Sequence, residues 1–198
     1  MTLTSGLLLL LEPGPIRLSG VSLQNVDNAH RSVDPEALLF DTKPAPDPRR
    51  WSQIIIYHSA SQTGSAAQIH DVHTDMGLGG LGYHFVINNG SGGQDGEIEI
   101  GYRWINQRVG AHAFGPNRDW ANRHAIGICL IGDPQRQAIT RTQFDQLVWI
   151  VQRLQAHFNI DAGNVVVYGS PSGDEATGPG DHFPVGSFRS QLLTRAAP

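Results

Sequence analysis

The strongest constraint on this fold is the run Gln53-Ile54-Ile55-Ile56-Tyr57-His58, in which three consecutive β-branched residues lead into Ser59-Ala60. A short, uninterrupted apolar run ended by small polar residues reads as a buried central strand whose C-terminal end opens on a functional edge. We take this strand to span Trp51 to Ala60. Three further apolar segments follow: Gly82 to Ile87, stopped by the turn residues Asn88-Asn89-Gly90; Ala125 to Gly132; and Val165 to Gly169. Asn and Gly accept the positive-φ backbone that a tight turn requires, so the second strand has a defined end.

Helical patterns lie between these strands. Thr140 and Gln143 stand at capping-box spacing, and Phe144, Leu147, Val148, Val151, Leu154 and Phe158 recur every three or four residues. That pattern predicts an amphipathic helix packed on the sheet. A shorter one is expected from about Ser65 to Met76, with Ile69, Val72, His73 and Met76 on one side and Gly77-Leu78-Gly79-Gly80 as its stop. Alternating strands and helices make the class α/β, with a central mixed β-sheet flanked by helices.

The remaining features narrow the function. Of 198 residues only 14 are Lys or Arg, the formal charge is −4, and no basic cluster occurs in the sequence, which argues against a nucleic-acid partner. The single cysteine, Cys129, sits inside an apolar strand and reads as a small core residue. Leu7 to Leu11 is too short for a membrane span and is preceded by no Lys or Arg, so it is expected to be a strand or a packed arm. Lys43-Pro44-Ala45-Pro46-Asp47-Pro48 favours extended backbone. The sequence therefore divides into an N-terminal extension and Pro-rich linker over 1–47 and a main domain over 48–198.

Six segments in order then bear a resemblance. They are Ile54 to Ser61; Ile69 and His73 ahead of Gly82-Tyr83-His84-Phe85; Asp95-Gly96-Glu97-Ile98 ahead of Gly101-Tyr102-Arg103; Val109-Gly110-Ala111-His112; Asn122 ahead of Ala125 to Ile128; and Gly178 to Pro184. Over about Trp51 to Leu193 the chain resembles the N-acetylmuramoyl-L-alanine amidase type 2 and peptidoglycan recognition protein family. The resemblance implies peptidoglycan or a muramyl peptide as partner, a cell-envelope or extracellular setting, and a catalytic zinc held at three positions. Those positions are filled here by Tyr57, Ser170 and Gly178.

A phenol ionises near pH 10 and an alcohol far higher, while glycine offers no side chain, so these three make poor zinc donors. Without the metal, bound water keeps a pKa of about 15.7 instead of about 7, and the nucleophile for amide hydrolysis is lost. His58 does not replace Tyr57, because successive side chains of a strand point to opposite faces. Where family members often place a Lys or Thr that stabilises the oxyanion, this chain has Ala176, with Thr177 one place off. The expectation is a protein without zinc or another cofactor that binds without cutting. An amidase with a rebuilt metal site and a structural, protein-binding domain are the alternatives.

Carried over by position, Tyr83, His73, His112 and Asn122 match residues lining the family's cleft, and Tyr83 matches its active-site tyrosine. The segment Phe114 to Ala121 makes Asn117 a rival to Asn122, and its Trp120 either stacks on a sugar or covers the core. From the residues alone, His73 reads as a hydrogen-bonded core histidine, and His84 as structural. His70, His124 and His182, with Asp174, Glu175 or Asp181, follow no metal-ligand spacing, and the turn at Ser170 lacks the form of a serine-nucleophile elbow.

Overall fold

The computed structural model describes residues 16–18, 34–169 and 179–194. Six strands form one mixed sheet: β1 (Ile16–Leu18), β2 (Gln53–His58), β3 (Phe85–Ile87), β4 (Ile98–Ile100), β5 (Ala125–Leu130) and β6 (Val165–Val167), in the order β1-β4-β3-β5-β2-β6. β2 is parallel to both neighbours, β5 and β6, and lies one strand in from the β6 edge rather than at the centre of the sheet, where β3 and β5 pair in parallel. The β4 strand runs antiparallel to β3 and β1. Among the described residues six α-helices accompany the sheet: α1 (Pro35–Leu39), α2 (Ala66–Asp75), α3 (Tyr102–Ile105), α4 (Arg118–His124), α5 (Arg141–Phe158) and α6 (Val185–Arg189).

Strand alternation sorts the sheet into two apolar layers. Ile54, Ile56, Phe85, Ile87, Ile126, Ile128 and Leu130 face α5, meeting Leu147, Ile150, Val151, Leu154 and Phe158. The intervening residues Ile55, Tyr57, Val86, Ala125 and Cys129 face the other way, onto Ala66, Leu81, Tyr83, Tyr102 and Ala121. Both faces are covered, as a largely parallel sheet requires.

The α5 helix is fixed at both ends. Thr140 and Gln143 form the reciprocal capping box, and Asn159 closes the C-terminus in the left-handed conformation. The Gln143 amide also donates to the carbonyls of Ile87 and Ile131, tying the helix start to the ends of β3 and β5. The shorter α2 is capped by Ser65, whose hydroxyl accepts from Gln68 N–H.

Several expectations shift in detail. The first strand starts at Gln53, because Trp51 is already buried in the core, and the third ends at Leu130. The expected strand over 82–87 is regular only from Phe85, since Gly82 N–H bonds the His73 ring and Gly82 C=O accepts from Ala111 N–H. Strands β1 and β4 are additions to the four expected. Residues ahead of 48 are more than an extension and linker: Leu39 is fully buried in the main core and its carbonyl accepts from the Trp104 indole. Leu7 to Leu11 lies outside the described residues. No helix among the described residues is long and apolar enough to cross a membrane.

Candidate functional site

The site forms at the C-terminal ends of β2 and β6. Tyr57 is the next-to-last residue of β2, and strand parity turns it toward Tyr83 and away from the α5 layer. His58 therefore takes the opposite side, where Ala60 N–H donates to its Nδ1 at 3.2 Å. Burial lowers the His58 pKa, against the raising effects of Asp133 and the Gly132 backbone.

Tyr57 is committed to His112. Its hydroxyl lies 3.2 Å from His112 Nδ1, and His112 Nε2 lies 3.1 Å from the Ala125 carbonyl. A carbonyl only accepts, so Nε2 holds the ring proton; Nδ1 is then the acceptor and Tyr57 O–H the donor. Burial drives the His112 pKa down to about 4, the Ala125 bond opposes this, and Arg103 adds to the lowering. Burial likewise raises the Tyr57 phenol well above its ordinary range, reinforced by Tyr168 and Cys129.

The imidazole of His112 sits in a slot made by two glycines. A Cβ built on Gly127 would stand 2.5 Å from ring carbons, and one on Gly110 would also be 2.5 Å away. A glycine in the middle of an apolar strand marks such a close approach, and Gly127 is the sequence signal for this seat. Asn122 fixes the segment that bears the histidine: its Oδ1 accepts from the N–H groups of His112 and Ala113, both at 2.9 Å, and its Nδ2 donates to Ala113 C=O. These bonds make Asn122 a positioning residue. Asn117 occupies the N-cap of α4 without a side-chain capping bond.

Tyr83 lies beneath Tyr57, with ring centroids 5.5 Å apart. Burial first, then Cys129 and Tyr57, raises its pKa. The Cys129 thiol is itself pushed up to about 12 by burial. The His73 ring lies 5.4 Å from that of Tyr83, tilted at 42°, and its Nδ1 accepts from Gly82 N–H at 2.9 Å, the bonded arrangement read from its place on α2. His84 accepts from Gly127 N–H and packs on Trp51. Trp120 is 51% exposed, so it does not cover the core, and its ring neighbour among the described residues is His124.

Tyr168 was visible in the sequence only as part of a strand. The structure places its ring 6.1 Å from Tyr57, at the mouth of the site. Its neighbours are short-range only in space, and no local pattern announces that contact.

A catalytic zinc needs three imidazole, thiolate or carboxylate donors and an open position. Tyr57 offers a protonated phenol already bonded to His112, and Ser170 and Gly178 lie outside the described residues. Among the described residues no three His, Cys, Asp or Glu side chains converge to hold a metal ion. His70, His124 and His182 do not assemble a substitute: their Nδ1 atoms face Leu81 N–H, Arg50 C=O and Pro134 C=O respectively. The described donors do not fit zinc.

A mixed sheet covered by helices on both faces is the fold of the amidase type 2 and peptidoglycan recognition proteins. The family profile described as N-acetylmuramoyl-L-alanine amidase matches residues 47–181, and the chain belongs to that family. It is 33% identical over 89 residues to an endolysin of Enterobacteria phage T3; the match covers 43% of this chain and 51% of the endolysin, so the chain spans about half the length of that curated relative. Among solved structures, it is similar to the endolysin N-acetylmuramoyl-L-alanine amidase LysCS of Clostridium intestinale, with TM-score 0.58 and 25% identity over 75% of this chain and 88% of that one. The bumblebee protein PGRP-SA shares the fold, with TM-score 0.50 and 20% identity over 74% and 86% of the two chains.

Proposed function

We propose that this chain binds peptidoglycan or muramyl peptides in the amidase cleft without hydrolysing them and without zinc. Family membership supports peptidoglycan as the ligand, since the family's activity is hydrolysis of its N-acetylmuramoyl-L-alanine amide. The observation that carries the non-catalytic reading is Tyr57. It stands where the family's first zinc ligand is expected, and its proton is donated to an acceptor in the interior.

A metal-activated hydroxide needs donors that give up their protons at neutral pH. Here the burial of Tyr57 and Cys129 favours their protonated forms. Tyr57, Tyr83, His73 and His112 are themselves buried, so a ligand would be held at the rim of the site, where the Tyr168 ring is half in solvent. Three measurements on the purified full chain test the proposal: metal content, release of muramyl peptides from cell walls, and co-sedimentation with insoluble walls. The expected outcome is less than a tenth of an equivalent of zinc, no release and clear co-sedimentation, where the tenth is an order-of-magnitude threshold (~0.1) for adventitious metal. One zinc per chain with chelator-sensitive hydrolysis would overturn it in favour of a rebuilt metal site. Soluble protein that never co-sediments would leave the fold as a protein-binding scaffold.

A further inference from the structure

We propose that Tyr168 is a stacking platform for a pyranose ring, so that the site recognises the glycan part of its ligand through the exposed face of this one side chain. The inference rests on the binding reading above and adds the ligand moiety and the residue that reads it.

Four tyrosines occur in the chain. Tyr57, Tyr83 and Tyr102 are 4%, 2% and 3% exposed, whereas Tyr168 is 51% exposed. Isolated exposed aromatics are ordinary on protein surfaces, so exposure alone decides nothing. Two further observations do. The Tyr168 backbone is held in register, because its N–H donates to Ile56 C=O at 2.7 Å and continues the β2–β6 ladder. Its ring also rests against Tyr57, with centroids 6.1 Å apart and planes inclined at 51°, and Tyr57 is in turn anchored to His112. A ring supported from below by an immobile ring loses little side-chain entropy on binding, which is the advantage of a preorganised contact.

The chemistry of the support selects the ligand. Behind Tyr168 lie two phenols, a thiol and an imidazole whose bonds fix its neutral tautomer. None of these groups is charged at neutral pH, and the cation felt by His112, Arg103, directs its guanidinium at the carbonyls of Leu78, Leu81 and Val109. An aromatic face is electron-rich, and it attracts the weakly positive C–H groups that line one face of a pyranose.

The test uses the full chain with two soluble probes, a tetramer of N-acetylglucosamine without peptide and a stem peptide without sugar. Variants are Tyr168→Ala, Tyr168→Leu and Tyr168→Phe. Loss of one stacking contact should weaken tetramer binding about tenfold in the Ala and Leu variants, while Phe should stay within about twofold. Peptide binding and the thermal midpoint should not move, because the side chain is half in solvent. Unchanged tetramer binding in Tyr168→Ala and Tyr168→Leu would overturn the platform, as would a Phe variant as weak as Ala. Wild-type protein that sediments with walls but binds only the peptide probe overturns this inference and leaves the binding reading standing; failure of the wild type on walls and both probes overturns both.

Discussion

The sharpest consequence of the buried His112 concerns acid stability. In the unfolded chain a histidine titrates at its ordinary 6.5, and in the folded protein His112 titrates at about 4. Above pH 6.5 both states leave it neutral and nothing is lost. Between 6.5 and about 4 the unfolded chain takes up a proton that the folded protein refuses, so stability falls with falling pH, and below about 4 this loss stops growing. At 1.36 kcal/mol per pKa unit, the gap corresponds to about 3 kcal/mol in all, approached at up to about 1.4 kcal/mol per pH unit. His58, His73 and His84 are also shifted downward by burial, so they add slope in the same direction. The measurement is urea denaturation followed by tryptophan fluorescence at half-unit steps from pH 4 to 8, for wild type and His112→Gln. The variant loses stability at every pH because it vacates the glycine slot, but its curve should be flatter by close to one proton across pH 4.5–6.5. Arg103 and His84 remain, and because His112 is one cause of the lowered His84 pKa, the lost slope belongs to His112 together with the part of the His84 shift that His112 imposes. Parallel curves, displaced without a change of slope, would show that His112 is not the buried neutral base described here.

Three other perturbations probe the same site. Tyr57→Phe removes the donor to His112 Nδ1 while keeping the ring, and leaving a buried acceptor unpaired should cost about 1–3 kcal/mol in chemical denaturation. Gly127→Ala drives a methyl into the His112 imidazole and should cost more than about 2 kcal/mol; wild-type stability in this variant would mean that the slot is not filled as described. Tyr57→His supplies one imidazole, but Ser170 and Gly178 provide no second or third donor. The purified variant should still contain no stoichiometric zinc by elemental analysis, and one equivalent would contradict the ligand argument.

Much of the fold could be read from local pattern because local physics and tertiary context agree there. The triple isoleucine of β2, the Thr140–Gln143 capping box and the three- and four-residue spacing of α5 each serve the element they announce. Strand parity alone separated Tyr57 from His58. The β4 strand was missed for a physical reason: Ile98-Glu99-Ile100 is three residues long with a carboxylate in the middle. It persists because Glu99 is bonded while buried, its Oε1 accepting from the Asn88 amide at 2.7 Å and from Ala66 N–H at 3.4 Å. Those partners lie 11 and 33 residues away, beyond any window that periodicity can use.

The site divides along the same line. Residue types carry the expectation of a site without zinc, since that expectation depends only on the donor chemistry of phenol, alcohol and glycine. They did not tell what the remaining side chains do to one another. Asn122 looked like a cleft residue and proves to clamp the backbone at His112 and Ala113, while Tyr168 looked like the end of a strand and proves to rest on Tyr57. Together these contacts define a closed chain of neutral hydrogen bonds: Tyr57 gives its proton to His112, and His112 gives its own to Ala125 C=O. A metal centre requires the opposite polarity, with protons expelled and lone pairs directed at one point. Converting this site to a metal centre therefore demands new donors and also the release of Tyr57 from His112, so single substitutions should destabilise the cleft before they create chemistry in it.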